Sequence, residues 1–558
     1  MTLLTAFARA EAAAAGRAQL IRTVRHVHLS RRPLVVIPLQ LAGEACAPLA
    51  VMLGDDPDKP RTLTVYEPRD RARRFEFAAD LAEVILGHLD GYLSPDDPDD
   101  PDDDPDVHRD RDTPTPGAPT PGAPTPGAPT PGGPAPEPLP DAPQLLVPNP
   151  NAAAFLRLLG RSTRLRRTDG EHAVRPTVPL LGRWLTHYAE RAEVPGSALL
   201  LAMTTALAEH WATGQSDLED ANLAALLGWI DPADGLTGQQ AARLAEDPVR
   251  CPPAGPVTDP TFDNEVLEGR MAAIRDATEA GDGPALARAQ AAMDAALHGQ
   301  LAPTWDLMWR AHTLLGKLPE AAHAQRRWTD DRRSFTAQAA WLREGGAPQP
   351  RRDSAVAAAK RLARLEREQQ RLAVERAHDD PLVMAEYRLT GEAFAGTVAA
   401  ADLTRLDTGG KKPKLRPWLI VQTTDTVIVE PGTVLACPAF PGQAAKVIEV
   451  ADAGREPQEA GQEPQQAGQQ PGQEAAHDND TRTGRTLVTL ELSGGMGRGL
   501  AAPPGTTPAR GDAVTYTTLR DDFQPAPQFP SREETPWTHG GPPPEYVPTD
   551  DDAQEAWS

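Results

Sequence analysis

The chain has 558 residues, 59 of them proline and 45 glycine, so nearly one residue in five punctuates regular structure and a single compact globule is excluded. It carries 56 Lys+Arg against 79 Asp+Glu, a net charge of -23, which excludes a general polyanion-binding surface. The acidity is concentrated: residues 94–112 hold ten Asp and two Arg, residues 452–482 seven acids and two Arg, and residues 521–558 nine acids and one Arg, leaving the remainder near neutral. These three stretches lack the apolar side chains that would offset ordering entropy, and we expect them to be disordered.

In chain order, residues 6–24 are Ala-rich, with Gly16 the single breaker, and predict a helix. Residues 34–41, 47–53 and 61–66 are short and rich in branched side chains, separated by Gly43-Glu44 and by Gly54-Asp55-Asp56-Pro57, and predict three strands. Residues 75–89 place Phe77, Leu81, Val84, Ile85 and Leu89 near one helical face. Residues 1–93 are thus expected to form a small α+β domain. An acidic run and the tandem pentapeptide Pro-Thr-Pro-Gly-Ala follow, which favours extended backbone and reads as a disordered linker over 94–143.

Residues 144–350 read as an α-helical domain, with the run 197–210, apolar nearly all round, as its central buried helix. Seven of the ten tryptophans fall in this region, and Trp305 and Trp309, four apart, are expected to pack in its core. Residues 351–383 predict a long connecting helix with a narrow apolar stripe. From 384 to 520 the period changes to short branched runs with Gly/Pro turns, including a hairpin at Glu430-Pro431-Gly432, which predicts a small antiparallel β-barrel with a disordered insertion at 452–482. Residues 521–558 form an acidic tail. The fold class expected is therefore multidomain α+β: a small N-terminal α+β domain, a mostly α-helical middle domain and a small C-terminal antiparallel barrel.

The N-terminal helix–strand–strand–strand–helix order resembles the core of the PD-(D/E)xK nuclease superfamily. That resemblance implies a divalent cation held by a helix carboxylate and two strand-end carboxylates beside a lysine. Glu11, Asp55 and Glu67 stand at the available positions, with Arg69 in place of the lysine. Arg is a poor substitute for a compact water-orienting charge, and Pro68 interrupts the motif. His26 and His28 alternate along an extended segment, but no further Cys or carboxylate nearby completes a zinc set, so solvent-facing histidines are expected. No metal or cofactor is expected.

Two basic clusters are candidate nucleic-acid contacts: Arg157, Arg161, Arg164, Arg166 and Arg167, and Lys411, Lys412, Lys414 and Arg416 just before Trp418. In the tail, Trp537, Tyr546 and Trp557 sit in an acidic, Pro-rich context and are candidate anchors for a protein partner. Cys46, Cys251 and Cys437 form no Cys-x-x-Cys pair, and the N-terminal residues lack a basic, then apolar, leader pattern. The apolar stretch 34–54 is interrupted by Pro38, Gln40, Gly43, Glu44 and Pro48 and reads as strands, not a membrane span. The expectation is a cytoplasmic, non-enzymatic adaptor or accessory subunit of a larger machine, with a protein partner and nucleic acid as a second ligand. The alternative is a degenerate or weakly active metal-dependent nuclease-like N-terminal domain.

Overall fold

In the computed structural model the described residues are 2–44, 47–93, 141–252, 256–410, 412–452, 485–497, 499–521, 528–529 and 531. Most of the expected linker and insertion, and nearly all of the expected tail, lie outside them. The fold class is the multidomain α+β arrangement expected, with a helical middle region and a closed six-stranded antiparallel barrel. Two compact units are present: Thr5–Gln369 forms one, and Gln370–Ala526 with Met1–Leu4 the other.

Helix α1 (Leu3–Ala15), in the first unit from Thr5 onward, ends well short of residue 24 because Gly16 takes φ +65, a left-handed stop that residues with a Cβ disfavour. After β1 (Gln19–Leu20), residues 21–33 join no sheet and make one isolated bridge, Arg25 with Glu320. The meander β2 (Leu34–Gln40), β3 (Pro48–Gly54) and β4 (Arg61–Thr64) follows the expected runs. Helix α2 (Arg71–Asp90) starts where the Asp70 carboxylate accepts from Arg73 N, an ordinary N-cap.

Two short strands from the expected helical domain complete this sheet. β5 (Leu145–Val147) adds parallel to β2 and, after α3 (Pro150–Thr163) and α4 (Thr177–Ala192), β6 (Leu200–Ala202) adds parallel to β5, giving the order β4-β3-β2-β5-β6. The N-terminal segment and the helical segment therefore share one sheet and one hydrophobic core. The single buried helix expected at 197–210 is instead β6 followed by α5 (Met203–Ala208). A short, uniformly apolar run carries no period to distinguish a buried strand from a buried helix.

β2 and β3 are buried along six consecutive residues each, so both faces of the sheet are covered. Pro38 is tolerated in β2 because β5 pairs only with Leu34 and Val35, leaving the β5 side of Pro38 without a strand partner. β7 (Trp211–Ala212) pairs with β1, and α6 (Leu223–Ile230), α7 (Gly238–Ala245), the single turn α8 (Pro260–Phe262) and α9 (Glu268–Glu279) lead to α10 (Gly283–Gly316), which packs on β2 and β3. Trp305 on α10 is buried in the core as expected, with its ring 5.8 Å from Trp309, and donates to Pro57 O at 2.8 Å. α11 (Ala322–Arg343) closes against Trp184 through Phe335.

The long helix α12 (Ala355–Asp379) contains the division between the units, and α13 (Pro381–Leu389) precedes the barrel. The remaining strands are β8 (Ala393–Asp402), β9 (Leu406–Asp407), β10 (Lys414–Leu415), β11 (Trp418–Thr423), β12 (Val434–Ala436), β13 (Ala444–Asp452), β14 (Thr486–Ser493) and β15 (Ala513–Thr517). The barrel closes in the order β11-β14-β13-β12-β15-β8 with every pair antiparallel. Alternate residues such as Val488, Leu490 and Leu492 fill its interior. The expected hairpin at Glu430-Pro431-Gly432 does not form: Thr433 N donates to Glu430 O in a turn, but residues 426–429 are not a strand, and β12 pairs with β13 and β15. A closed barrel satisfies strand edges between partners distant in sequence, so a local turn does not dictate the pairing.

Candidate functional site

On the outside of the barrel, β11 alternates, with Leu419, Val421 and Thr423 inward and Trp418 outward and 37% exposed. The short β9–β10 ribbon, in which Lys414 lies opposite Asp407, stands beside it. The Arg405 guanidinium lies 4.2 Å over the Trp418 ring and 2.7 Å from Glu491, while Trp418 Nε1 donates to Glu491 at 3.3 Å. The result is a fixed aromatic face carrying a cation. Lys412 and Lys414 are exposed and make no ion pair among the described residues, whereas Arg416 is half-buried and turns back to Leu415 O at 3.1 Å. Lys411 lies outside the described residues. Arg405 and Glu491 escaped the sequence reading because Arg405 stands thirteen positions before Trp418 and Glu491 on a different strand.

The other arginine cluster is spent on structure. Arg164 and Arg166 are buried: Arg164 donates to Gln349 O at 3.0 Å and Arg166 to Ser162 O at 2.9 Å, with the Arg166 guanidinium 5.1 Å over the Phe75 ring. Arg157 pairs with Glu193 at 3.2 Å and Arg167 with Asp169 at 3.2 Å. Arg161 alone remains exposed without an ion pair among the described residues. Trp537, Tyr546 and Trp557 lie outside the described residues.

The residues marked by the nuclease resemblance do not meet. β3 and β4 are antiparallel, so Asp55, just past the end of β3, and Glu67, past the end of β4, lie at opposite ends of a sheet whose seven-residue strand spans about 20 Å. Arg69 is at the Glu67 end, 2.6 Å from Glu44. Glu11 is exposed on α1, whose Arg9 pairs with Asp217. No group of three or more His, Cys, Asp or Glu side chains among the described residues is arranged to hold a metal ion.

Asp55 instead belongs to a cleft of about 490 Å³ at one end of the sheet, lined among others by Arg31, Arg32, His88, Tyr92 and Asp141. Asp55 accepts from Arg32 at 2.7 Å, and Tyr92 donates its hydroxyl to Arg32 O at 2.9 Å. In the cleft wall, Asp141 accepts from Ser30 Oγ at 2.6 Å and from the backbone N–H groups of Arg31 and Ala142, and lies 3.6 Å from His28 Nε2. Burial opposes its ionisation, but these donors hold the Asp141 carboxyl down at about 2. His28 Nδ1 faces Glu320 at 3.0 Å, and the ring stacks on Trp328 at 4.4 Å. Burial would lower its pKa; the two carboxylates outweigh that and raise it. His26 is 1% exposed, and its backbone N–H donates to His210 Nε2 at 3.1 Å. His26 is thus buried and His28 half-buried, neither facing open solvent as expected, because residues 21–33 thread through the unit.

Among the described residues no helix is long and apolar enough to cross a membrane. No protein-family model matches the chain, and comparison with curated proteins and with solved structures finds no match.

Proposed function

We propose that this is a cytosolic, non-enzymatic interaction protein, an adaptor or accessory subunit of a larger machine, whose barrel makes a contact with single-stranded nucleic acid. The observation that carries the reading is the outward Trp418 ring with Arg405 fixed on it, beside Lys412 and Lys414, two exposed cations without an acidic partner among the described residues. An exposed ring offers a stacking platform for a base, and free ammonium groups neutralise phosphates. The net charge of -23 opposes long-range attraction, so binding is expected to be modest and strongly salt-dependent.

Fluorescence anisotropy of the full chain with a labelled oligonucleotide tests this. Trp418→Ala should weaken binding about tenfold, and Lys412→Ala and Lys414→Ala should each lower the salt slope by about 1. Binding to none of the single strands at low salt would remove the nucleic-acid part. Co-purification with and without nuclease tests the adaptor part: a stoichiometric protein partner that survives nuclease supports it, and recovery of the chain alone counts against it.

A further inference from the structure

The cleft at the end of the N-terminal sheet has features that fold stability does not explain. Gly87 lines it from the last turn of α2, where a residue with a side chain would favour the helix, and a Cβ built there meets nothing within 4 Å. The glycine is not forced by close packing; its effect is to keep the cleft wide. His88, next in the helix, has a side chain only 6% exposed, stands 3.7 Å from Asp55 and leaves a buried Nε2 without a hydrogen-bond partner.

The remaining groups set the chemistry of that occupant. Arg31 is exposed at the rim, and its guanidinium makes no ion pair among the described residues, so it is free to take an oxyanion. Asp55 uses Oδ2 for Arg32 and keeps Oδ1 to accept from a hydroxyl or amine. Tyr92, Leu34 and Val84 supply a flat and apolar wall. The C-terminal end of α2 and Asp55 disfavour an anion at the helix end; at the other end the Asp141 carboxylate is already held by Ser30 Oγ and the backbone N–H groups of Arg31 and Ala142, which leaves the Arg31 guanidinium as the place for the oxyanion and the helix end for the hydroxyls.

We propose that this cleft binds a nucleoside monophosphate, with its phosphate on Arg31, a ribose hydroxyl on Asp55 and its base against Tyr92. The site lies entirely within the first unit and is independent of the barrel reading.

Isothermal titration of the full chain with AMP, adenosine and inorganic phosphate tests it. AMP should bind, adenosine and phosphate should each bind at least tenfold more weakly, and Arg31→Ala should cost AMP about tenfold. Gly87→Leu should abolish AMP binding while leaving Tm at or above that of the parent, because leucine favours the helix and fills only the cleft. Absence of AMP binding at millimolar concentration, or equal binding of phosphate alone, would overturn the proposal. So would AMP binding that survives Gly87→Leu; if that binding is lost in Trp418→Ala, the nucleotide belongs to the barrel.

Discussion

The two units solve the problem of a closed core in opposite ways. The barrel takes all six strands from residues 393–517, alternates inward and outward side chains, and fills its interior with branched apolar residues. The first unit gathers its sheet from residues 34–64, 145–147 and 200–202, and pins the connecting segments with buried charges. The difference teaches that a sheet assembled from distant pieces needs specific polar ties where the pieces meet, while a barrel closed on its own register does not.

The largest expected effect tests that contrast directly. Asp331 is 0% exposed and accepts from Arg191, from Ser197 Oγ at 2.7 Å and from Ala198 N at 2.7 Å, just before β6. Asp331→Ala should cost about 3–5 kcal/mol in the first unit. Asp425→Ala, which removes two hydrogen bonds from Arg388 and one from Ala395 N at one end of the barrel, should cost less, about 2 kcal/mol, because Asp425 is not fully buried. Hydrogen exchange followed by mass spectrometry on the full chain resolves each unit; equal costs would break the comparison.

Next in size is the α3–α4 crossing, where a Cβ on Gly182 would overlap Arg164 N and Thr163 Oγ1. Gly182→Ala should therefore destabilise the first unit by about 3 kcal/mol in urea unfolding, despite its gain in helix propensity.

A smaller effect carries a pH signature. His28 has a folded-state pKa above its ordinary 6.5, so its stabilisation is complete below pH 6.5 and is lost as pH rises through the raised value. His28→Gln should cost about 2 kcal/mol at pH 6 and markedly less at pH 9, measured by urea unfolding followed through tryptophan fluorescence. Asp141 has the opposite sign: its contribution is present above the ordinary 3.8 and is lost as pH falls toward about 2.

The smallest effect concerns the segment expected to be an interdomain spacer. Its flanking residues meet: Asp141 accepts from Ser30 Oγ, and Tyr92 lies against the same Ser30. Replacing residues 94–140 with about twelve Gly/Ser residues should leave the first unit folded and stabilise it by about 1 kcal/mol, because a shorter loop costs less to close. A spacer between independent bodies would show no change in urea midpoint.

Sequence pattern was enough for the elements whose own residues carry a period or a stop. The β2–β4 meander, the body of α2 over 75–89, the buried Trp305 and most barrel strands declare themselves by alternation, helical period and turn residues within a few positions, whereas the first turn of α2 and its Asp70 cap escaped the sequence reading. Three-residue strands declare nothing. β5 and β6 are too short to show alternation, and their membership in the sheet is fixed by hydrogen bonds to residues over fifty positions away. The sites follow the same division. Lys412, Lys414 and Trp418 are neighbours in the chain and were visible there, but Arg405 and Glu491 join them only through the β9–β10 ribbon and the β11–β14 register. The sequence by itself settled where apolar residues must be buried and where charge accumulates, because those depend on composition and local period. Which charges meet, and which glycine opens a cleft, was decided by tertiary structure alone, since pairing and packing join residues that no local pattern connects.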